Sequence, residues 1–186
     1  TTPEEYGEDV EVTALDDMYK ANQEYSTKLS FPQTAQALLR DVCSTCNIKL
    51  GVTSMAHGSI SIAAIPDNVT FRTVIGYIAM LESANARIDS NGYLRFLKWD
   101  FSSAENGNSA GEGVNTPHIL RDYLSAPTLS TDDIIITGIK VKSGEDAYQY
   151  GLDGYVLELE NELLTDKQLE NVAKWIGADL IGSTFR

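Results

Sequence analysis

The sequence has little of the side-chain chemistry on which most enzymes depend. Its 186 residues include two histidines and two cysteines. Neither His57 nor His118 has a partner ligand at metal-binding spacing, so we interpret both as ordinary surface residues. Cys43 and Cys46 form one C-x-x-C without the second pair that a structural zinc site needs. We expect both to be buried, reduced thiols on a helix. A Cys43–His57 nucleophile pair stays open, because only the fold decides their proximity.

Basic residues are also few. Fourteen Lys and Arg stand against 27 Asp and Glu, a net charge of −13. The acids concentrate in residues 1–24 and 101–186, whereas residues 25–100 are nearly neutral. Binding to a phosphate backbone needs clustered bases, so we expect no direct nucleic-acid partner. No apolar run approaches the roughly 20 residues of a membrane span, so we expect no membrane anchor.

Carboxylates are abundant, but no pair has the marks of catalysis. A glycosidase needs two acids across a cleft, one with a raised pKa. Glu158 and Glu160 alternate with leucines, which is typical of the exposed face of a strand. No nucleotide-binding or hydrolase motif occurs. We therefore assign no catalytic, cofactor-binding or metal residue and expect no enzyme. The other acids that stand close together are Asp16, Asp17, Asp132, Asp133 and Glu162.

The sequence does contain a helix–strand unit that occurs twice. Thr34 and Thr70 each precede apolar residues at spacings of 3, 1, 3 and 1, which predicts amphipathic helices over 33–46 and 71–83. We expect strands at 48–53 and, more clearly, at 58–65. The shared spacing indicates either an internal duplication or a chance register of two amphipathic helices. The predicted buried faces are Ala35, Leu38, Leu39, Val42, Cys43 and Cys46 in the first helix and Phe71, Val74, Ile75, Ile78 and Ala79 in the second.

Turn residues predict two hairpins. Asn91-Gly92 between alternating runs favours a type I′ turn, because both residues tolerate positive φ. Asp89–Gly92 also faintly resembles a calcium loop, but it lacks the later ligands. We predict the second hairpin over 148–160, turning at 151–154. We expect most of the nine tyrosines to line the core with their hydroxyl groups reaching water.

The remaining patterns complete an α+β chain. Residues 133–142 read as a strand with a bulge at Gly138. Thr165, with Gln168 at the capping-box position, opens a last helix. Its predicted buried stripe is Leu169, Val172, Ala173, Ile176 and Leu180.

Four segments follow from these patterns. We expect the chain to be a fragment of a larger multi-domain protein, because it begins without Met and ends directly after an apolar stretch. The segments are 1–30 (a strand at 10–13 and a helix at 14–25 whose face is Leu15, Met18, Tyr19 and Asn22), 31–100 (an α+β domain with both helix–strand units), 101–117 (a flexible linker rich in Ser, Gly and Asn) and 118–186 (a short helix or extended piece at 119–124, a hairpin and the C-terminal helix).

Five short segments, in this order, resemble the tail hub proteins of bacteriophages and prophages, in particular the tail-tip proteins of Firmicutes phages. Each segment is weakly specific alone, and their order covers nearly the whole chain. They are Thr13–Tyr19 (TALDDMY), Phe31–Thr34 (FPQT), Phe71–Ala79 (FRTVIGYIA), Asn91–Leu94 (NGYL) and Gly154–Asn161 (GYVLELEN), the last followed by a helix.

The resemblance implies a structural protein of the virion tail, assembled in the bacterial host cytoplasm. Such hubs are trimers that join the tail tube to the baseplate or tip, so the implied partners are copies of this chain and other tail proteins. The implied fold has barrel-like domains, of which residues 1–13 would be a strand torn from a missing barrel. The alternative is a tail-associated cell-wall hydrolase or endopeptidase module. A third option is carbohydrate binding through exposed tyrosines.

Overall fold

The computed structural model describes residues 15–99, 134–182 and 184–185, with the side chains of 134, 184 and 185 excluded. The predicted strand at 10–13, the linker at 101–117 and the helix or extended piece at 119–124 lie outside these residues, as do His118, Asp132 and Asp133. The described elements are a 3₁₀ helix (Asp17–Ala21), β1 (Gln33–Thr34), α1 (Ala35–Thr45), β2 (Lys49–Leu50), β3 (Ser61–Ile62), α2 (Phe71–Leu81), β4 (Ala84–Ile88), β5 (Tyr93–Lys98), β6 (Ile134–Ser143), β7 (Asp146–Gly151), β8 (Tyr155–Glu160), α3 (Asp166–Leu180) and β9 (Thr184–Phe185).

The two helix–strand units repeat in local geometry. Thr34 and Thr70 both have extended backbones, and each side chain accepts a hydrogen bond from the backbone N–H three residues on. Each cap is followed by eleven helical residues and then by a non-glycine residue with positive φ, Asn47 at 52° and Ser83 at 50°. Every residue of the two predicted apolar stripes is buried. The helix predictions are therefore confirmed.

The strands of the two units flank a shared neighbour. In the first sheet β5 is central, β2 pairs with it in parallel and β4 pairs with it antiparallel. The equivalent strands β2 and β4 therefore run in opposite directions on opposite sides of β5. α2 packs against β4 and α1 against α2, so the helices cover one face of this sheet.

The predicted strand at 58–65 shrinks to β3, which pairs antiparallel with β1. The reason lies at the start of α1, whose first N–H groups have no partner within the helix. The N–H of Ala35 donates to the carbonyl of Ile60 at 3.0 Å, and the N–H of Gln36 to that of Gly58 at 2.9 Å. The segment thus caps a helix instead of extending a sheet.

The predicted helix at 14–25 is wrong, because only a 3₁₀ helix forms there. Met18 is buried, whereas Leu15 and Tyr19 of the predicted face are exposed. The following residues instead pair with the chain before α2, where the N–H of Tyr25 donates to the carbonyl of Val69 at 2.8 Å. A long-range backbone contact has therefore replaced the helix.

The hairpin of β4 and β5 is confirmed, but its predicted turn type is wrong. Gly92 has φ +80°, whereas Asn91 is not among the residues with positive φ. The Asp89 carboxylate accepts hydrogen bonds from the N–H groups of Asn91 and Tyr93, both at 2.9 Å. These bonds stabilise a turn in which Gly92, and not Asn91, has positive φ.

The second hairpin prediction is also wrong. β6 lies between β7, which is antiparallel to it, and β8, which is parallel to it. The loop at 151–154 therefore crosses β6, and the N–H of Leu152 donates to the carbonyl of Thr137 at 2.8 Å. The predicted bulge at Gly138 is confirmed by a register shift. A Cβ at Gly138 would lie 2.7 Å from the carbonyl oxygen of Leu152, which explains the glycine at this crossing.

α3 covers the second sheet and joins it to the first. Its capping box forms as predicted, and all five residues of its predicted stripe are buried. The stripe packs on β6 and β7 and belongs to one hydrophobic cluster with the faces of α1 and α2. The architecture is α+β. Among the described residues, no helix is both long and apolar enough to cross a membrane.

Candidate functional site

The cysteines are confirmed as free and buried. Burial, followed by the charge of Cys46 nearby, raises the pKa of the Cys43 thiol to about 12. Burial also raises the pKa of Cys46. A thiol with a raised pKa stays protonated at neutral pH and is a poor nucleophile. The helix thus uses both sulfurs as small apolar groups.

His57 is not the surface residue that we predicted. Its ring stacks on that of Trp175 in α3, with centroids 4.2 Å apart and planes 12° apart. Its Nδ1 lies 3.8 Å from Oε1 of Glu82. The Glu82 carboxylate is buried and accepts the N–H groups of Ala56 at 2.9 Å and His57 at 2.7 Å. We call this contact of His57, Glu82 and Trp175 the joint. It connects three elements, namely the end of α2, the turn that precedes β3, and α3.

The acids that stand close together in the sequence either form short-range contacts or are exposed. Asp16 caps the 3₁₀ helix, and Asp17 pairs with Lys20 at 2.8 Å. Glu158 is exposed, as predicted, and lies between two lysines of β6. Hydrogen bonds from Lys142, then Lys140, lower the pKa of Glu158 below its ordinary value. Glu160 and Glu162 are exposed. Within 15–99 and 134–185, no three His, Cys, Asp or Glu residues are grouped to hold a metal.

The outer face of the first sheet carries a cluster of cations around an aromatic ring. Lys49 on β2 is in register with Tyr93 on β5, and its Nζ lies 5.5 Å from the ring centroid. Cζ of Arg95 lies 5.7 Å from the same ring. Arg87 on β4 is directly opposite Arg95. Together with Asp89, these side chains form what we call the basic face.

The guanidinium of Arg95 is held across the strands. Its Nε donates to Oδ2 of Asp89 at 3.0 Å, and its Nη1 donates to the carbonyl of Gly51 at 2.7 Å. A Cβ at Gly51 would lie 2.7 Å from Nε of Arg95, so the glycine makes room for this arrangement. The N–H of Tyr93, followed by the guanidinium of Arg95, lowers the pKa of Asp89. The cation and its carboxylate are therefore fixed before any ligand arrives.

An apolar patch lies at the crossing end of the second sheet. Tyr150, Leu152 and Ile181 are 39%, 74% and 37% exposed. A Cβ at Gly177 would meet the Tyr150 ring at 2.6 Å and Ile181 Cδ1 at 3.2 Å, so the two side chains are neighbours above this glycine. Exposed apolar groups that lie together favour contact with another molecule. Four of the seven described tyrosines are exposed, so within this part of the chain the expectation that most tyrosines line the core is wrong; they are Tyr19, Tyr93, Tyr150 and Tyr155.

No family model, no curated protein and no solved structure matches this chain.

Sequence reasoning missed both the joint and the basic face. The joint unites His57, Glu82 and Trp175 from three elements, and no local signal links them. The sequence could have predicted part of the basic face, because Tyr93 and Arg95 alternate with the apolar positions of β5 and therefore share its other side. Lys49 joins them only through the parallel pairing of β2 with β5, which the local pattern does not specify.

Proposed function

We propose that this chain is a non-catalytic structural component of a phage or prophage tail hub, which joins the tail tube to the baseplate or tip. The supporting observation is where the resembling segments lie. Phe31–Thr34 contains β1 and the cap of α1, and Phe71–Ala79 is most of α2. Asn91–Leu94 contains the end of the hairpin turn and the start of β5, and Gly154–Asn161 contains β8. The described part of Thr13–Tyr19 begins the 3₁₀ helix. All of these positions build the scaffold.

The chemistry of the reactive groups supports the same proposal. The Cys43 thiol is held protonated, and the Glu82 carboxylate is occupied by two backbone N–H groups. The ring of His57 stacks on an indole. Each group stabilises packing between elements, which is the use expected in a protein that bears load.

Assembly of the hub as a trimer needs surfaces between copies. The apolar patch supplies one, and it lies beside strands whose outer edges are unpaired among the described residues. Unpaired edges and exposed apolar groups are the features through which β proteins associate. We propose that copies of this chain, and other tail proteins, meet at this end of the second sheet.

Light scattering on the full-length protein that contains these residues tests the proposal. We expect a trimer that Leu152→Asp converts to a monomer, because a charge in an apolar interface is desolvated without a partner. Leu97→Asp is the matched control, since Leu97 is 51% exposed on the other sheet, and it should leave the trimer intact. A monomeric wild type would overturn the trimer.

The hydrolase alternative has its own readout. The full-length protein is incubated with purified peptidoglycan, and the decrease in turbidity is followed. The scaffold proposal expects no clearing. Clearing that a single Asp, Glu or Cys→Ala change within these residues abolishes would replace the scaffold role with a catalytic one.

A further inference from the structure

The basic face is a cationic surface on an acidic protein. Lys49 and Arg95 lie beside the ring of Tyr93, Arg87 lies opposite Arg95, and Asp89 is the one carboxylate that bonds to these cations among the described residues. The formal charge of the face is therefore positive, whereas that of the whole chain is −13. The buried side of the same sheet holds Leu94, so these side chains point away from the core.

The positive charge of Arg87 is not neutralised by any described carboxylate. It stands directly opposite Arg95 in the antiparallel register, and like charges at opposed positions destabilise a sheet. Asp89 bonds to Arg95, and Arg87 forms no ion pair with any described residue. A carboxylate that bonds to the guanidinium of Arg87 would offset this repulsion through charge-assisted hydrogen bonds.

The face is prepared to bind at low entropic cost. The bonds of Arg95 to Asp89 and Gly51 occupy two of its five N–H donors, so its orientation is set while donors stay open. Leu97, 51% exposed, and Tyr93, 39% exposed, offer apolar contact beside the cations. A rigid cation beside an aromatic ring loses little freedom on association.

We propose that the basic face binds an acidic segment of a partner polypeptide. Two or three carboxylates match the number of cations, and side chains of the same segment would cover Tyr93 and Leu97. Nucleic acid fits less well, because three cations could neutralise only a few phosphates. The basic face lies on a different sheet from the apolar patch, and the proposed binding does not depend on whether the chain belongs to a tail hub.

A nuclear magnetic resonance titration of the isotope-labelled chain with a hexaglutamate peptide tests the inference. We expect saturable shifts of the backbone amide signals of β2, β4 and β5, which weaken as salt is added. Arg87→Glu should weaken the affinity about tenfold or more, because it puts a like charge in the site. Lys140→Glu is the matched control, a lysine of the second sheet, and should change the affinity by less than about twofold.

Thermal unfolding shows whether Arg87→Glu is folded, and Lys49→Glu provides a second variant with the same expected loss. The inference is wrong if hexaglutamate causes no saturable shift in β2, β4 and β5, or if the Lys140→Glu control weakens binding as much as Arg87→Glu. A single-stranded hexathymidylate that binds the same face more tightly than hexaglutamate would replace the polypeptide with a nucleic acid.

Discussion

The side chain of Asn161 connects the two halves of the structure, which are residues 15–99 and 134–185. Its removal should lower the free energy of unfolding. It is fully buried, its Nδ2 donates to the carbonyl of Tyr77 in α2 at 2.9 Å, and its Oδ1 accepts the N–H of Leu163 at 3.2 Å. Asn161→Leu preserves the approximate volume and removes both bonds. The N–H of Leu163 would be left buried without a partner, whereas the carbonyl of Tyr77 keeps its hydrogen bond within α2, so we expect the free energy of unfolding to fall by about 1–3 kcal/mol. That is a large share of the roughly 5–15 kcal/mol of a typical domain.

Asn161→Asp adds a pH signature. A carboxylate in place of the amide cannot donate to the carbonyl of Tyr77, and burial should raise its pKa above the unfolded value of about 3.9. A raised folded-state pKa means that the stability is retained below the unfolded pKa and lost as pH rises through the folded pKa. Relative to wild type, the variant should therefore lose much more stability at neutral pH than at about pH 4.

Urea unfolding followed by tryptophan fluorescence measures both effects. Asn171 is the matched control, because it lies exposed on α3, and its changes to Leu and Asp should each shift the stability by less than about 0.5 kcal/mol. If Asn161→Leu unfolds at the same urea concentration as wild type, the side chain does not hold the two halves together. An Asn161→Asp loss that is constant with pH would refute the argument about burial.

Three further predictions concern the core, the crossing loop and a buried thiol. Leu39→Asp should lower the free energy of unfolding by about 3 kcal/mol or more, measured by thermal unfolding, and exposed Arg40→Asp should change it little. Gly151→Ala should cost more than about 2 kcal/mol in urea unfolding, because φ is +98° and the new Cβ would lie 2.5 Å from a backbone oxygen. Gly144→Ala, at φ +58° with nothing within 4 Å, should cost about 1 kcal/mol. Cys43 should react with iodoacetamide at pH 8 only in urea. Because its folded-state pKa of about 12 exceeds the ordinary thiol value of 9.0, its stabilising contribution is complete below pH 9 and is lost towards pH 12. Cys43→Val should lack this loss.

Short-range patterns predicted the helices well. The capping threonines at 34, 70 and 165 and the spacing of the apolar residues act within one or two helical turns, so the sequence is enough to locate them. The predicted 14–25 helix failed because its backbone pairs with Val69 and its neighbours. The type I′ turn failed because the side chain of Asp89 favours another turn at the same dipeptide.

Local patterns in the sequence were enough to predict the α+β class, the three α-helices, their buried faces and the bulge at Gly138. They could not predict that β6 lies between β7 and β8, that β2 runs parallel to β5, or that His57, Glu82 and Trp175 meet. The difference follows from the range of the interactions. Helix hydrogen bonds and caps join residues three or four apart, whereas a strand shows the same alternation whichever strand it pairs with. Strand order, and with it both the joint and the basic face, is settled only when the distant parts of the chain pack together.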